Sequence, residues 1–285
     1  MTIKKLLLHS SSYPPLLREI PDPPKALYCL GQDISVLSIP SLAVVGSRKV
    51  SHYGKTVTEL LASQLARGGI SITSGLALGV DSIAHKAALE TQGLTIAVLP
   101  CGLDRVYPSS HTTLAQQILL NGGLIVSEYP PGTTPMKHHF IARNRIVSGL
   151  CRGVLITEAA ERSGSLHTAN FALEQGRDVF AVPGPITSPM SLGTNNLIKS
   201  GAIPVTSSED IFSFFGIEFS TTKTHSTGNG AAELSIIKQL QSGIIESDLL
   251  LLATELSPDQ FYDSITKLEI KGQIKSIGNN QWGLL

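Results

Sequence analysis

Six short runs of apolar, mostly β-branched residues, each separated from the next by room for a helix, set the strongest limit on what this chain can become. They are LAVVG (42–46), ISIT (70–73), LTIAVLP (94–100), LIVSE (124–128), GVLITE (153–158) and DVFAVPG (178–184). A strand with one face in water alternates apolar with polar residues, whereas runs that are apolar throughout belong to strands covered on both faces. Between them lie helical patterns such as YGKTVTELLASQLARGG (53–69) and GSLHTANFALEQG (164–176), the second closing on Gly176 as a helix stop. This is a βαβ series, and the expected fold is α/β with a mainly parallel, doubly wound sheet.

Each run empties into a loop of Gly, Ser, Pro or a charged residue: Gly46-Ser47-Arg48, Ser74-Gly75, Pro100-Cys101-Gly102, Glu128, Glu158 and Pro183-Gly184. In an open parallel sheet these loops share one edge, where ligands bind. Residues 42–216 are therefore read as the ligand-binding domain, preceded by a short extension over 1–41. A Ser, Thr and Gly-rich stretch without apolar periodicity, 217–232, reads as a linker. Residues 233–285 read as three helices and two short strands with a turn at Gly278-Asn279-Asn280, the order of a winged helix-turn-helix. In that unit Ser257-Pro258-Asp259-Gln260 carries a capping box with proline at the first helical position.

The chain holds 22 Lys and Arg against 22 Asp and Glu, so it has no global basic field and any anion site must be local. Three cysteines, Cys29, Cys101 and Cys151, are odd in number and form no CxxC, which fits a reducing cytoplasm rather than a disulfide or zinc framework. No apolar run approaches the length of a membrane span, and the first residues have no signal-peptide core. The default expectation is a cytoplasmic protein with no membrane segment.

One stretch breaks the balance of charge. From Tyr129 to Thr157 the sequence contains Lys137, Arg143, Arg145 and Arg152 with no Asp or Glu. Cations near the loop edge of a sheet suit a polyanion, and Phe140 among them offers a face on which a base can stack; the competing reading is a structural arginine network. Alternate residues on a helix point about 200° apart, so Arg143 and Arg145 reach one ligand together only if the segment is irregular or one of them braces the site. Two loops could present amides to phosphate. In the first, the amides of Ser47 and Arg48 lie near a helix start. In the second, Ser163-Gly164-Ser165, the residue types fit a phosphate cradle and a plain N-cap about equally. Neither a G-x-G-x-x-G fingerprint nor a P-loop occurs. Asp81 and His85, four apart, are expected to form a helix-surface or capping pair, and His138-His139 diverge too far for one metal ion, so no metal and no cofactor is expected.

The same residues resemble the DNA-processing protein A family (DprA, also called Smf). The likeness runs through YPPLLREIPDPPKALYCLG (13–31), AVVGSR (43–48), SGLALGVDSIAH (74–85), YP (107–108), SEYPPGTTPMKHHFIARNRIVSGL (127–150), LITEAAERSGSLHTANFALEQGRDVFAVPG (155–184) and GTNNLIKSGA (193–202). It implies an extended Rossmann-like domain, often followed by a small winged helix, that is no enzyme. It also implies binding of single-stranded DNA in a positive pocket, a homodimer, and loading of the recombinase RecA onto incoming strands during natural transformation. Carried onto this sequence, the pocket comprises Gly46, Ser47, Arg48, Ser74, Gly75, Lys137, Phe140, Arg143, Asn144, Arg145, Ser163, Gly164 and Ser165, with no catalytic residue.

The sequence departs from the family in three places. Ser109 and Ser110 follow Tyr107-Pro108 where many relatives carry a basic residue, so that contact is either missing or replaced by Lys137. The residues ahead of the first strand are too few for the helical amino-terminal domain of many relatives. In the carboxyl-terminal unit Glu233, Glu246, Asp248, Glu255, Asp259, Asp263 and Glu269 outnumber Lys238, Lys267, Lys271 and Lys275. That acidity argues against duplex binding and against a regulator reading an operator, and makes a protein contact at least as good a reading. The main rival function is a nucleotide-processing enzyme of the phosphoribohydrolase type, which shares a similar sheet.

Overall fold

A computed structural model describes residues 2–217, 230–278 and 280–284. The chain divides into two units, Met1–Phe219 and Ser220–Leu285. Most of the expected linker, and Asn279 of the expected turn, lie outside the described residues.

The first unit opens with β1 (Lys4–Leu7), α1 (Pro15–Arg18) and β2 (Ala26–Leu30). The alternating series follows: β3 (Ser41–Val45), α2 (His52–Arg67), β4 (Ser71–Ser74), α3 (Val80–Glu90), β5 (Thr95–Val98), α4 (Thr112–Leu120) and β6 (Leu124–Ser127). It continues with α5 (Lys137–Gly149), β7 (Gly153–Ile156), α6 (Ser165–Glu174), β8 (Asp178–Ala181), α7 (Leu192–Lys199), β9 (Ile203–Pro204) and α8 (Ser208–Phe215). The nine strands form one sheet in the order β1-β2-β6-β5-β4-β3-β7-β8-β9. Every pairing from β6 to β9 is parallel, and β2 and β1 extend that sheet in antiparallel fashion.

The apolar runs bury both faces, as their composition requires. Leu42 and Val44 pack on one face with Leu61, Leu65, Ile72, Leu155, Phe180 and Phe212. Ala43 and Val45 pack on the other with Val98, Val126, Ile146, Val147, Ile156 and Ala169. The extension expected over 1–41 is part of this domain. Its two strands join the sheet, Tyr13 and Leu17 are fully buried, and the Tyr13 hydroxyl donates to the Pro24 carbonyl at 2.8 Å.

The topology fixes where a ligand can sit. The chain winds outward through β3, β4, β5 and β6, then crosses back to lay β7 beside β3. The connections leaving β3 and β7 therefore diverge to opposite faces, which opens a crevice beyond their carboxyl ends.

The second unit comprises α9 (Ala231–Gln241), α10 (Ser247–Thr254), α11 (Pro258–Ile270) and a hairpin of β10 (Ile274–Gly278) and β11 (Gln281–Leu284). Its core is Ile236, Ile237, Leu240, Leu250, Phe261, Ile265, Leu268 and Ile274. This is the element order of a winged helix. The capping box read at Ser257 forms, with the Gln260 amide donating to the Ser257 hydroxyl at 3.3 Å.

Candidate functional site

A cavity of about 460 Å³ lies in that crevice, walled by the loops after β3, β4 and β7, by α5, and by the start of α6. Among the described residues its cationic lining is Arg48, Lys49, Arg143 and Arg162, and its carboxylate is Asp81. The chain as a whole is neutral, so this excess of cations is a local concentration of positive potential with low-dielectric walls.

The β3 loop is held rigidly. The Ser47 amide donates to the Glu158 carbonyl at 2.8 Å, and the Ser47 hydroxyl donates to the Lys49 carbonyl at 2.9 Å. The expectation that the Ser47 amide faces an anion is thus corrected, because that donor is spent on the β7 end. Gly46 permits the approach, since a Cβ there would lie 2.6 Å from the Glu158 carbonyl oxygen. The buried Glu158 carboxylate in turn accepts the Ser51 amide at 2.8 Å and the Ser51 hydroxyl. With its amide and hydroxyl both engaged, Ser47 sets the loop while the exposed Arg48 and Lys49 project from it.

α5 is a regular helix through its arginines, and this separates them. Arg143, only 4% exposed, turns toward the cavity. Its Nη1 donates to the Gly75 carbonyl at 2.6 Å and to the Val98 carbonyl, and its Nε donates to Asn144 Oδ1 at 3.2 Å. Among the described residues Nη2 has no hydrogen-bond partner, and this end of the fork is available at the cavity wall. Asp81 stands behind it, accepting the amides of Gly75 and Ala77 at 3.0 and 3.3 Å. Burial disfavours both the Asp81 and Arg143 charges, and each charge favours the other. A guanidinium keeps its proton under such conditions, and its charge opposes the upward shift that burial gives the Asp81 carboxyl.

Arg145 points away from the cavity. Its Nη1 and Nη2 donate to the two Glu128 oxygens at 2.9 and 2.8 Å, and its Nε donates to Asp22 at 2.9 Å. Burial works against its charge, and the bonds and charges of Glu128 and Asp22 more than offset that. The expectation that Arg145 shares a phosphate site with Arg143 is corrected. The segment is free of carboxylates in sequence, but folding supplies two from outside it. Arg145→Ala is expected to lower stability by about 2 kcal/mol, since Glu128 is left partly buried and unpaired, while ligand affinity stays within about twofold of the parent. Urea melts beside a binding titration check this.

The remaining expected residues divide in the same way. Gly46, Ser47, Arg48, Gly75, Phe140, Arg143, Asn144, Ser163, Gly164 and Ser165 line the cavity. Ser74 is fully buried, its hydroxyl donating to the Val44 carbonyl at 2.7 Å, and Lys137 is exposed at the first turn of α5 outside the lining. At the α6 start neither serine caps the helix in the usual way: Gly164 is the N-cap residue and the two hydroxyls bond each other at 2.8 Å. The amide of Gly164 has no partner among the described residues and lies at the cavity. Phe140 carries the Arg48 guanidinium 5.7 Å from its ring centroid and meets Tyr107 edge to face at 5.2 Å.

Lys49 and Arg162 were not singled out in the sequence, although each adjoins a residue that was. Asp81 and His85 do not form a surface pair; both are buried, and His85 bonds Thr95 through Nδ1 at 2.6 Å. His139 is buried and stacked on Tyr129 with centroids 4.1 Å apart. The three cysteines are free and buried. Among the described residues no cluster of His, Cys, Asp or Glu could hold a metal ion, and no helix is long and apolar enough to cross a membrane.

Comparison with known proteins places this geometry in context. A family model described as DNA recombination-mediator protein A matches residues 4–216. Protein Smf of Escherichia coli is 52% identical over 202 residues, covering 71% of this chain and 54% of that protein, so the chain spans about half the length of that relative. DNA processing protein DprA of Streptococcus pneumoniae is 48% identical over 203 residues, 71% of each chain. The X-ray structure of the S. pneumoniae protein superposes with a TM-score of 0.70 at 44% identity, covering 77% of this chain and 76% of that one. DNA processing protein A from Helicobacter pylori, described with a unique single-stranded DNA binding mode, gives 0.68 at 36% identity over 77% of this chain and 98% of its own.

Proposed function

The chain belongs to the DNA recombination-mediator protein A family, a family of DNA-binding mediators rather than enzymes, and from that premise we propose that its cavity binds single-stranded DNA independently of sequence. The observation that carries the reading is the concentration of Arg48, Lys49, Arg143 and Arg162 around one crevice of a neutral chain. The single-stranded DNA binding mode described for the H. pylori relative supports it. In this reading Arg48, Lys49 and Arg162 neutralise phosphates from exposed positions. Arg143 offers Nη2 from a fixed one, and the Gly164 amide at the start of α6 adds a neutral donor with a favourable dipole.

We further propose that the bound strand is protected and handed to a recombinase of the RecA type, that the working form is a homodimer, and that the protein acts in the cytoplasm during natural transformation and recombination. The phosphoribohydrolase alternative has less support: such enzymes carry a P-G-G-x-G-T-type loop where this chain has Glu161-Arg162-Ser163-Gly164-Ser165, and the carboxylate at the cavity, Asp81, is buried and engaged by the amides of Gly75 and Ala77.

Each neutralised phosphate releases counterions, so log affinity for an oligonucleotide should fall against log salt with a slope of about −0.7 per phosphate contacted. Arg48→Ala should weaken binding by about three- to tenfold and make that slope shallower by about 0.7. Because Arg48 is exposed, its melting temperature should stay within about 2 °C of the parent. Titration of single-stranded and duplex oligonucleotides across salt tests the reading. A parent that binds neither, or an Arg48→Ala variant with unchanged affinity and slope, would overturn it.

A further inference from the structure

Glu158, the charged residue that ends the run GVLITE, is absent from the cavity lining, yet it is buried just beyond β7, at 2% exposure. Its partners account for a carboxylate in such a place. It accepts the Ser51 amide at 2.8 Å and the Ser51 hydroxyl, and Ser51 is the N-cap of α2, its own Oγ accepting the Gly54 amide at 3.1 Å. A helix start favours negative charge, and the first turn of α2 has no acidic residue. Glu158 therefore supplies that charge from a different strand. The same residue also holds the other end of the loop, where its carbonyl accepts the Ser47 amide at 2.8 Å. The Ser47 end has a second backbone bond, from the Val80 amide to the Ser47 carbonyl at 3.1 Å, and no side-chain substitution removes either. The Ser51 end is joined to β7 through the Glu158 carboxylate. Between the two ends stand the exposed Arg48 and Lys49, two of the cations that line the crevice.

We propose that Glu158 is a positioning residue for strand binding: it ties residues 47–51 at both ends, so that Arg48 and Lys49 face the crevice before DNA arrives. The inference rests on the single-stranded DNA reading and deepens it. Held in advance, the loop and its two cations have less freedom to lose on association, and the cost of ordering them is met in folding instead. Released at the Ser51 end, they keep their charge but no longer hold it where the phosphates pass. Gly54 shows how closely the carboxylate fits, since a Cβ there would lie 2.6 Å from the Glu158 carboxyl carbon and from its Oε2. Gly54→Ala therefore displaces the carboxylate without removing it, in a helical position that alanine otherwise favours.

The sign of the effect separates this role from a bystander's. Glu158→Gln removes a negative charge close to a cavity that takes a polyanion, so electrostatics alone would tighten binding. The positioning role requires the opposite, a loss of about tenfold in affinity for a short poly-thymidine strand. A double-mutant cycle then separates it from general damage to the pocket. In an Arg48→Ala/Lys49→Ala background, where the loop has no cation left to position, adding Glu158→Gln should change affinity by less than about twofold. Gly54→Ala should repeat both results, and it carries the test if Glu158→Gln does not fold. Variants that bind as tightly as the parent, or more tightly, would overturn the proposal, and so would an equal loss in the parent and in the background. A parent that binds no strand at all refutes the single-stranded DNA reading itself, and the positioning role falls with it.

Discussion

Arg143→Ala is expected to destabilise the first unit by about 4 kcal/mol and, at about 2–4 °C per kcal/mol for a domain of this size, to lower its melting temperature by about 8–16 °C. The sequence alone suggests a surface cation whose loss weakens binding and leaves the fold untouched; its burial reverses that expectation. Arg143 joins two strand ends, because Nη1 bonds the carbonyl of Gly75 beyond β4 and that of Val98 at the end of β5. Removing it orphans both carbonyls and takes away the charge that favours ionisation of Asp81, itself 7% exposed, and buried polar groups left without their partners are among the costliest single changes a core can suffer. Arg143→Lys restores a charge but cannot reach both carbonyls with a fork, so it should recover less than half of the loss. Gly75→Ala attacks the same point from the other side, since its Cβ would lie 2.5 Å from the guanidinium carbon. Calorimetric melts of the three variants decide the matter: an Arg143→Ala protein melting within about 2 °C of the parent would show that the fork is dispensable to the fold. Binding to single strands should fall in all three, and only in this group should the loss accompany a loss of stability; Arg48→Ala should show the first without the second.

That contrast also marks what a linear sequence reveals. The six central strands were legible because burial on both faces writes itself into composition, as short runs of apolar and β-branched residues whose few polar members, such as Ser71 and Thr73, are small. β1 and β2 were not, because KKLL and ALYCL sit at the sheet's edge with exposed or half-buried positions, and their local pattern is that of any extended segment. The loop edge was legible from the residues ending each strand. Assigning Arg145 was not, because its acceptors lie 123 and 17 residues away and a window free of carboxylates says nothing of what folding brings to it. The helical periodicity did contain the answer in another form: residues two apart on a helix diverge, so a regular α5 could place only one of the two arginines at the cavity. Lys49 and Arg162 had a signal too, as the neighbours of Arg48 and Ser163 on loops already chosen. His85 lay hidden in the same way as Arg143, a polar residue whose helical position faces inward, where its partner Thr95 is on a different element.

Lowering the pH is expected to unfold this protein through His85. The ring is fully buried. Thr95 Oγ1 donates its hydrogen to the Ile72 carbonyl at 2.6 Å, so it must accept from His85, which assigns the proton to Nδ1. Nε2 is then a bare acceptor without a partner among the described residues, and a second proton there would be a buried, unpaired charge. Burial, with the charges of His111 and Arg143, accordingly pulls the His85 pKa down from 6.5 to about 3. The unfolded chain binds this proton below about pH 6.5 and the folded one does not until about pH 3. Stability from this group is therefore intact above pH 6.5 and falls as the pH drops, by about 1.4 kcal/mol for each unit. Between pH 6.5 and 5.0 the loss amounts to about 2 kcal/mol, and it continues toward pH 3 before levelling off. His85→Leu removes the titrating ring and should flatten this acid limb by that amount, whatever it does to stability at pH 7.5. Urea melts of parent and variant at pH 7.5, 6.5, 5.5 and 5.0 give the two slopes, and equal slopes would mean that the proton is taken up elsewhere. The same property bears on binding: His85 lies on α3, whose first turn carries Asp81, so acid that charges the ring loosens α3 and, with it, the amides of Gly75 and Ala77 that Asp81 gathers behind Arg143. Affinity for single strands should therefore hold in the folded parent until the pH nears 3 or the fold is lost, and a His85→Leu protein that folds should not show the decline that charging of the ring brings.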